Sequence, residues 1–401
     1  LRNSSAASDV YKRQDGISVS ITHCGLKKNN KDDLVLITLD NPGSIIGAFT
    51  RSKTPGEPIV WNKSIIDYGK VSAILINSGN ANVFNGKAGK RSLLQIVKYL
   101  SDKLNIPDKE VYSASTGVIG EPLDEKKIIN KIPYLINNLK NDSESWCLAA
   151  KAIMTTDTYP KIHSEKFYDE QNFIINGIAK GSGMIAPNMA TMLAFIFTNF
   201  DITRSMKKKF KEIVDKTFNS ITIDGDTSTS DMILLFSLKQ VKTRKKNKDH
   251  RIFFNKLENI MNRLSDLIVK DGEGASKFIT INICGAKNQS DAKNVGISIA
   301  NSPLFKTAMA GSDANWGRII MAIGKSNAFI DPLKISLSFG SFVVLKNGKE
   351  FISKNVKLID KYLRNKEIQI TVNLGLGKYK WIVRTCDFTN RYISINTDYR
   401  S

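Results

Sequence analysis

The stretch Gly177-Ile-Ala-Lys180-Gly-Ser-Gly183 runs through Met-Ile-Ala-Pro187-Asn-Met-Ala190 to Thr191, and then into the apolar run Leu193–Phe197. A glycine-rich loop with one lysine thus delivers a threonine to the start of a buried strand. A threonine hydroxyl is a poor nucleophile. A threonine with a free α-amine carries its own base, because that amine titrates near ~7.7–8.0. Freeing the amine requires cleavage of the Ala190–Thr191 bond, and the small Ala190 leaves room for an N-to-O acyl shift. A glycine-rich turn feeding a core strand accounts for the same residues, and this stretch alone does not separate the two. A serine–histidine triad finds no support in the scattered His23, His163 and His250.

Other polar segments follow apolar runs. Val71–Ile76 leads into Asn77-Ser-Gly-Asn-Ala-Asn82, and Ser113 leads into Ala-Ser-Thr116-Gly117-Val-Ile-Gly120. Hydroxyls and backbone N–H groups at a strand end can stabilise an oxyanion or hold an anion. Ordinary turns with Asx hydrogen bonds are the simpler reading of each segment. Asp224-Gly-Asp226 has a metal-like spacing, but it lacks the central glycine and twelfth-position glutamate of a calcium loop. A turn whose carboxylates bond the backbone is preferred there. Asp271-Gly-Glu273-Gly-Ala275 sets one carboxylate between two glycines, where it can meet a substrate ammonium or simply solvent.

These residues need strands and helices to hold them. Buried-strand runs occur at Leu34–Leu39, Val71–Ile76, Leu193–Phe197, Met232–Phe236, Phe278–Cys284 and Ile368–Val372. Leu93, Val97, Leu100 and Leu104 share one helix face, as do Leu257, Ile260, Met261, Leu264 and Ile268. In the C-terminal third, Ile335–Phe339, Phe342–Leu345, Ile368–Val372, Trp381–Val383 and Tyr392–Ile395 suggest hairpins in an antiparallel sheet. Punctuation between the halves is expected at Gly177–Gly183.

The 401 residues are 41% apolar and 24% charged, values of a globular chain and not a disordered one. No window holds 18 uninterrupted apolar residues, so no membrane span or membrane partner is expected. The net charge of +21 raises nucleic-acid binding as a reading. The excess is spread along the chain, with only short runs at Lys207–Lys209 and Lys242–Arg251, so a solvated basic surface is preferred. Cys24, Cys147, Cys284 and Cys386 lie far apart, which argues against a zinc site or a disulfide framework. No metal is expected, and free thiols in a reducing cytoplasm follow. Residues 1–15 lack a secretory apolar core and read as an unstructured or cloning-derived extension, since hydrophobic patterning starts near Ile17.

Eight segments in order resemble the ornithine acetyltransferase, or glutamate N-acetyltransferase, family of cyclic arginine biosynthesis. They are NSGNAN at Asn77–Asn82, STGVIG at Ser115–Gly120, IMTTDT at Ile153–Thr158, KGSGMIAPNMATML at Lys180–Leu193, IDGDTSTS at Ile223–Ser230, DGEGA at Asp271–Ala275, NWGR at Asn315–Arg318 and the tail Ile395–Ser401. The resemblance covers Gly16 to Ser401. It implies an α/β (α+β) fold of stacked β layers flanked by helices, of the self-cleaving N-terminal-nucleophile type. It implies an alpha chain of residues 16–190 and a beta chain of residues 191–401, cut between Ala190 and Thr191.

By the same resemblance Thr191 is the acetyl-accepting nucleophile, and Thr116 and Gly117 stabilise the oxyanion. Thr155, Lys180, Thr191, Glu273, Asn396 and Ser401 bind substrate. The implied reaction moves acetyl from N-acetylornithine to glutamate by a ping-pong path, in the cytoplasm. No cofactor is implied, although some members also take acetyl-CoA as donor. Two alpha and two beta chains are expected to assemble. The rival is an amidase or aminopeptidase of the same nucleophile type, which would pass the acyl group to water.

Overall fold

The structure is a computed structural model, and it describes residues 11–28, 30–168, 172–186, 192–241, 247–351 and 356–398. In chain order the strands are β1 (Ile17–Thr22), β2 (Leu34–Phe49), β3 (Lys70–Asn80), β4 (Val111–Val118), β5 (Lys161–Tyr168), β6 (Asn172–Lys180), β7 (Leu193–Phe200) and β8 (Ile221–Thr222). They continue as β9 (Met232–Val241), β10 (Phe278–Ala286), β11 (Ser336–Phe339), β12 (Phe342–Lys346), β13 (Lys349–Glu350), β14 (Glu367–Asn373) and β15 (Tyr379–Cys386). They form two sheets, each in its own compact unit, so the expected mixed fold of β layers flanked by helices is present.

Unit 1 comprises Leu1–Gly181, Asn188–Val214 and Thr227–Leu264. Its sheet runs β4-β3-β2-β9-β7-β6-β5, with β1 on β2. Most neighbours are antiparallel, while β3 with β4 and β7 with β9 are parallel. Side chains alternate between two cores. Val35, Ile37, Ile74 and Ile76 pack with Trp146 and Ala149. Leu34, Leu36, Ala73 and Leu75 pack with Leu93, Val97 and Leu100. A sheet covered on both faces explains why its strands read as continuous apolar runs. Gly177 in β6 has no Cβ to strike Leu264, so the helix Asn247–Lys270 can lie close on the strand.

Unit 2 comprises Ser182–Pro187, Asp215–Asp226 and Ser265–Ser401. Its sheet runs β13-β12-β11-β14-β10-β15-β8. Ile279, Ile281 and Ile283 point into a core with Val295, Ile299, Phe305 and Ile319, while the intervening residues are half-buried. Among the described residues no helix is long and apolar enough to cross a membrane.

Three sequence expectations change here. The C-terminal sheet is mixed, because β14 pairs parallel with β10 as well as antiparallel with β11. Tyr392–Ile395 lies in the helix Asn390–Thr397, whose N-terminus is capped when the Thr389 hydroxyl accepts from the Arg391 N–H. Residues 11–15 are folded against unit 1. Tyr11 is buried and stacks on Trp146 with ring centroids 4.5 Å apart, and the Lys12 N–H donates to Asn176 Oδ1 at 3.1 Å. One aromatic in a polar stretch leaves no periodicity to find, so its burial was invisible without the receiving pocket. Residues 1–10 lie outside the described residues. The expected break at Gly177–Gly183 does contain a unit boundary, between Gly181 and Ser182.

Candidate active site

Four of the expected site residues fall in unit 1. Thr116 and Gly117 stand in the last three residues of β4, beside Ser78 and Gly79 of β3 in parallel register. Gly117 has φ +132°, and a Cβ there would strike the backbone of Gly79 and Asn80. Glycine is therefore required at that point for the two strands to meet. Thr155 follows the helix Ser143–Ala152, and Lys180 is the last residue of β6. The Lys180 side chain is 1% exposed. Its ammonium donates to Thr116 Oγ1 at 3.1 Å and to Thr155 Oγ1 at 2.8 Å. A hydroxyl that accepts from an ammonium keeps its own proton to give elsewhere. Thr116 is thus arranged as a polarised donor, the group an oxyanion needs.

Two carboxylates absent from the expected set support these residues. Asp157 accepts from Lys161 Nζ and from the Gly181 N–H, each at 2.6 Å, and from the Thr155 N–H at 3.1 Å. Burial pushes its carboxyl up, but Lys161, Lys180 and the Gly181 N–H outweigh that and hold it at about 2. Asp231 accepts from the Met192 N–H at 2.7 Å, and its other oxygen is buried without a hydrogen bond among the described residues. Burial raises the Asp231 carboxyl well above its ordinary value, against the Met192 N–H and the nearby Lys180. Both aspartates stand inside or beside the quoted motifs. An acidic residue amid threonines, or just before an apolar run, was the available signal.

The Asp231 shift has a stability consequence. The folded chain keeps this proton to a higher pH than the unfolded chain, which releases it near ~3.9. Folded protein therefore binds more protons above that value, and stability falls as pH rises towards the folded pKa. Asp231→Asn should remove this part of the fall. Denaturation midpoints measured against pH for parent and variant give the check, and parallel curves would contradict the assignment.

Unit 2 holds two more expected residues. Asn396 Nδ2 donates to Glu273 Oε2 at 2.8 Å, and the Glu273 N–H donates to the Ser182 carbonyl at 2.8 Å. The Glu273 carboxylate lies over Gly183, where any Cβ would collide with it. Asp224 accepts from the Met184, Ile185 and Asp226 N–H groups, so its oxygens serve the backbone as the turn reading has it. Ala190, Thr191 and Ser401 lie outside the described residues.

The ArgJ family model matches residues 18–401, nearly the whole chain. The chain belongs to the ArgJ family. The arginine biosynthesis bifunctional protein ArgJ of Bartonella quintana is 40% identical over 394 residues, covering 96% of this chain and 95% of that protein. The protein of the same name from Bradyrhizobium diazoefficiens is 40% identical over 395 residues, with the same coverage. A solved ArgJ structure from Bacillus halodurans is 35% identical, with a TM-score of 0.48, covering 51% of this chain and 97% of that chain. As an ArgJ-family member the chain is an acyltransferase of arginine biosynthesis.

Proposed function

We propose that this ArgJ-family chain cuts itself between Ala190 and Thr191, and that Thr191 then carries acetyl from N-acetylornithine to glutamate. The observation that carries the reading is the buried Lys180 ammonium bonded to both Thr116 and Thr155. In the cut, Thr191 Oγ attacks the Ala190 carbonyl, the peptide C–N bond breaks, and water hydrolyses the resulting ester. This leaves an Ala190 carboxylate and a free Thr191 amine. In transfer, that amine takes the hydroxyl proton while Oγ attacks the acetyl carbonyl. The Thr116 hydroxyl and the Gly117 N–H hold the oxyanion. Collapse breaks the amide C–N bond, ornithine leaves with the proton, and glutamate's amine attacks the acetyl ester in turn.

Lys180 and Thr155 suit the α-carboxylate that both substrates share, and Asn396 and Ser401 complete the binding set. The alpha chain 16–190 and beta chain 191–401 would stay joined. The β6–β7 and β2–β9 pairings connect residues on both sides of the cut, and Lys180, before it, pairs with Leu193, after it. A tetramer of two alpha and two beta chains, in the cytoplasm and without a bound cofactor, completes the proposal. Acetyl-CoA serves as a second donor. The test is acetyl transfer to glutamate from each donor separately, with released acetate measured alongside. Acetate without N-acetylglutamate would favour the amidase reading instead.

Glu273 is assigned to the side-chain ammonium of the ornithine moiety. Glu273→Gln keeps an oxygen for Asn396 Nδ2 but removes the charge. A hydrogen bond to a charged group contributes about 1.5–3 kcal/mol, so KM for N-acetylornithine should rise roughly tenfold to a hundredfold. KM for glutamate, which has no such ammonium, should change much less. Equal weakening of both would mean that Glu273 only supports the loop at Ser182–Gly183.

A further inference from the structure

The hydrogen bonds around Lys180 close into a ring. Lys180 Nζ donates to Thr155 Oγ1. The Thr155 N–H donates to Asp157 Oδ2, and Asp157 Oδ1 accepts from the Gly181 N–H, the peptide group that follows Lys180. One carboxylate therefore fixes the backbone on the C-terminal side of Lys180 and the backbone of the threonine its ammonium contacts. Asp157 is 8% exposed, Lys161 0% and Lys180 1%, so the carboxylate and both ammonium groups are shielded from water, while Thr155 is half-buried. In such surroundings each bond is stronger and a lost partner costs more. We propose that Asp157 is the positioning residue of the lysine site, setting Thr155 and Lys180 through their backbones, and that the Lys161 ammonium anchors Asp157 for that task.

A merely structural ion pair would need Lys161 and Asp157 alone. Here both oxygens of Asp157 also accept from backbone N–H groups, one on Thr155 and one next to Lys180. Lys161 bonds Asp157 Oδ1 at 2.6 Å and sits 5.0 Å from the Tyr159 ring centroid. The other charges that act on this set are Lys180 and Lys27, both coupled to Asp157, and Asp231, coupled to Lys180. Asp157 is stabilised as a carboxylate chiefly by the two lysines, against the effect of its burial. Removing Lys161 leaves burial much less opposed. Asp157 would then take up a proton at a pH where the parent's stays ionised, and a neutral acid is a weaker acceptor for the two N–H groups.

This inference rests on the reading that Lys180 holds the substrate carboxylate. The experiment measures KM for glutamate from pH 5.5 to 8 in the parent, Lys161→Met, Lys161→Arg and Lys180→Met. The ratio of variant to parent KM cancels the ionisation of the substrate and of the Thr191 amine. For Lys161→Met the ratio should climb about tenfold as pH falls, one pKa unit's worth of lost acceptor, with kcat changing less. Lys161→Arg should hold the ratio flat and near one.

A flat ratio near one in folded Lys161→Met overturns the proposal. If Lys161→Met does not fold, Asp157→Asn/Lys161→Met replaces it, because removing both buried charges leaves neither orphaned. That double variant should show a KM raised at every pH without a slope, and an unchanged KM overturns the proposal equally. Lys180→Met separates the two ideas. A parent-like KM there would defeat the carboxylate reading itself, whatever Asp157 does.

Discussion

Thr191→Ala should run as one uncut chain and transfer no measurable acetyl group, where the parent runs as two smaller bands. The variant keeps a small residue after Ala190 but has no oxygen to attack the preceding carbonyl, so no ester forms and no amine is freed. Both roles assigned to Thr191 vanish together. Removing a nucleophile from comparable machinery costs on the order of 10⁶-fold in turnover. N-terminal sequencing of the parent's C-terminal fragment should begin Thr-Met-Leu. The fragments should co-purify, since β6 and β7 are hydrogen-bonded along Ile175–Lys180 and Leu193–Thr198. A parent enzyme that is uncut and fully active would defeat this account, because an internal threonine has no amine to use as base.

The second large effect concerns the end of β4. Loss of one oxyanion donor typically slows turnover ~100- to 1,000-fold, and Thr116→Ala should do so with a modest fall in melting temperature. The buried Lys180 ammonium loses one acceptor but keeps Thr155 Oγ1, and the strand pairing with β3 stays intact. Self-cleavage should slow as well, since it passes through a tetrahedral intermediate of the same kind. Gly117→Ala should behave differently. Its φ of +132° is foreign to an alanine, and the added Cβ meets the Gly79 backbone, which cannot swing aside as a side chain would. Strain of about 1–3 kcal/mol is expected, so this variant should lose stability as well as rate. Kinetics and thermal melts on the two variants side by side test the distinction. If Thr116→Ala cuts and transfers at the parent rate, Thr116 serves only as a strand residue.

The charge of the site is written in the fold more than in the composition. Asp157 is held near the bottom of the carboxylate range because Lys161 and Lys180 are buried beside it, whereas Asp231, buried near Lys180 with one N–H partner, is driven the other way. Asp157 thus contributes stability that is present above the unfolded value of ~3.9 and disappears as pH falls towards about 2, the reverse of the Asp231 trend. Two residues of one type, in one unit, respond oppositely to pH because their neighbours differ.

The sequence by itself determined the family, the reaction class and the strands that carry the site. Motif order along the chain is a one-dimensional property, and apolar runs such as Leu193–Phe197 and Met232–Phe236 report burial on both faces directly. It also singled out Thr116, Gly117, Thr155 and Lys180 without any measure of their distance from one another. The tertiary structure decided that meeting. Thr116 on β4 and Lys180 on β6 are five strand steps apart, about 24 Å in a flat sheet. Their side chains nevertheless bond at 3.1 Å, so the sheet must coil strongly enough to bring one end towards the other. Twist accumulates over strands that pair across long sequence separations, and no local pattern records the sum. Asp157 and Asp231 were hidden for a related reason: neighbouring strands distant in sequence deliver their N–H partners, Gly181 after β6 beside β5 and Met192 before β7 beside β9. It also hid the helix at Tyr392–Ile395, where a threonine cap and a contact with Glu273 override an alternation that reads as strand.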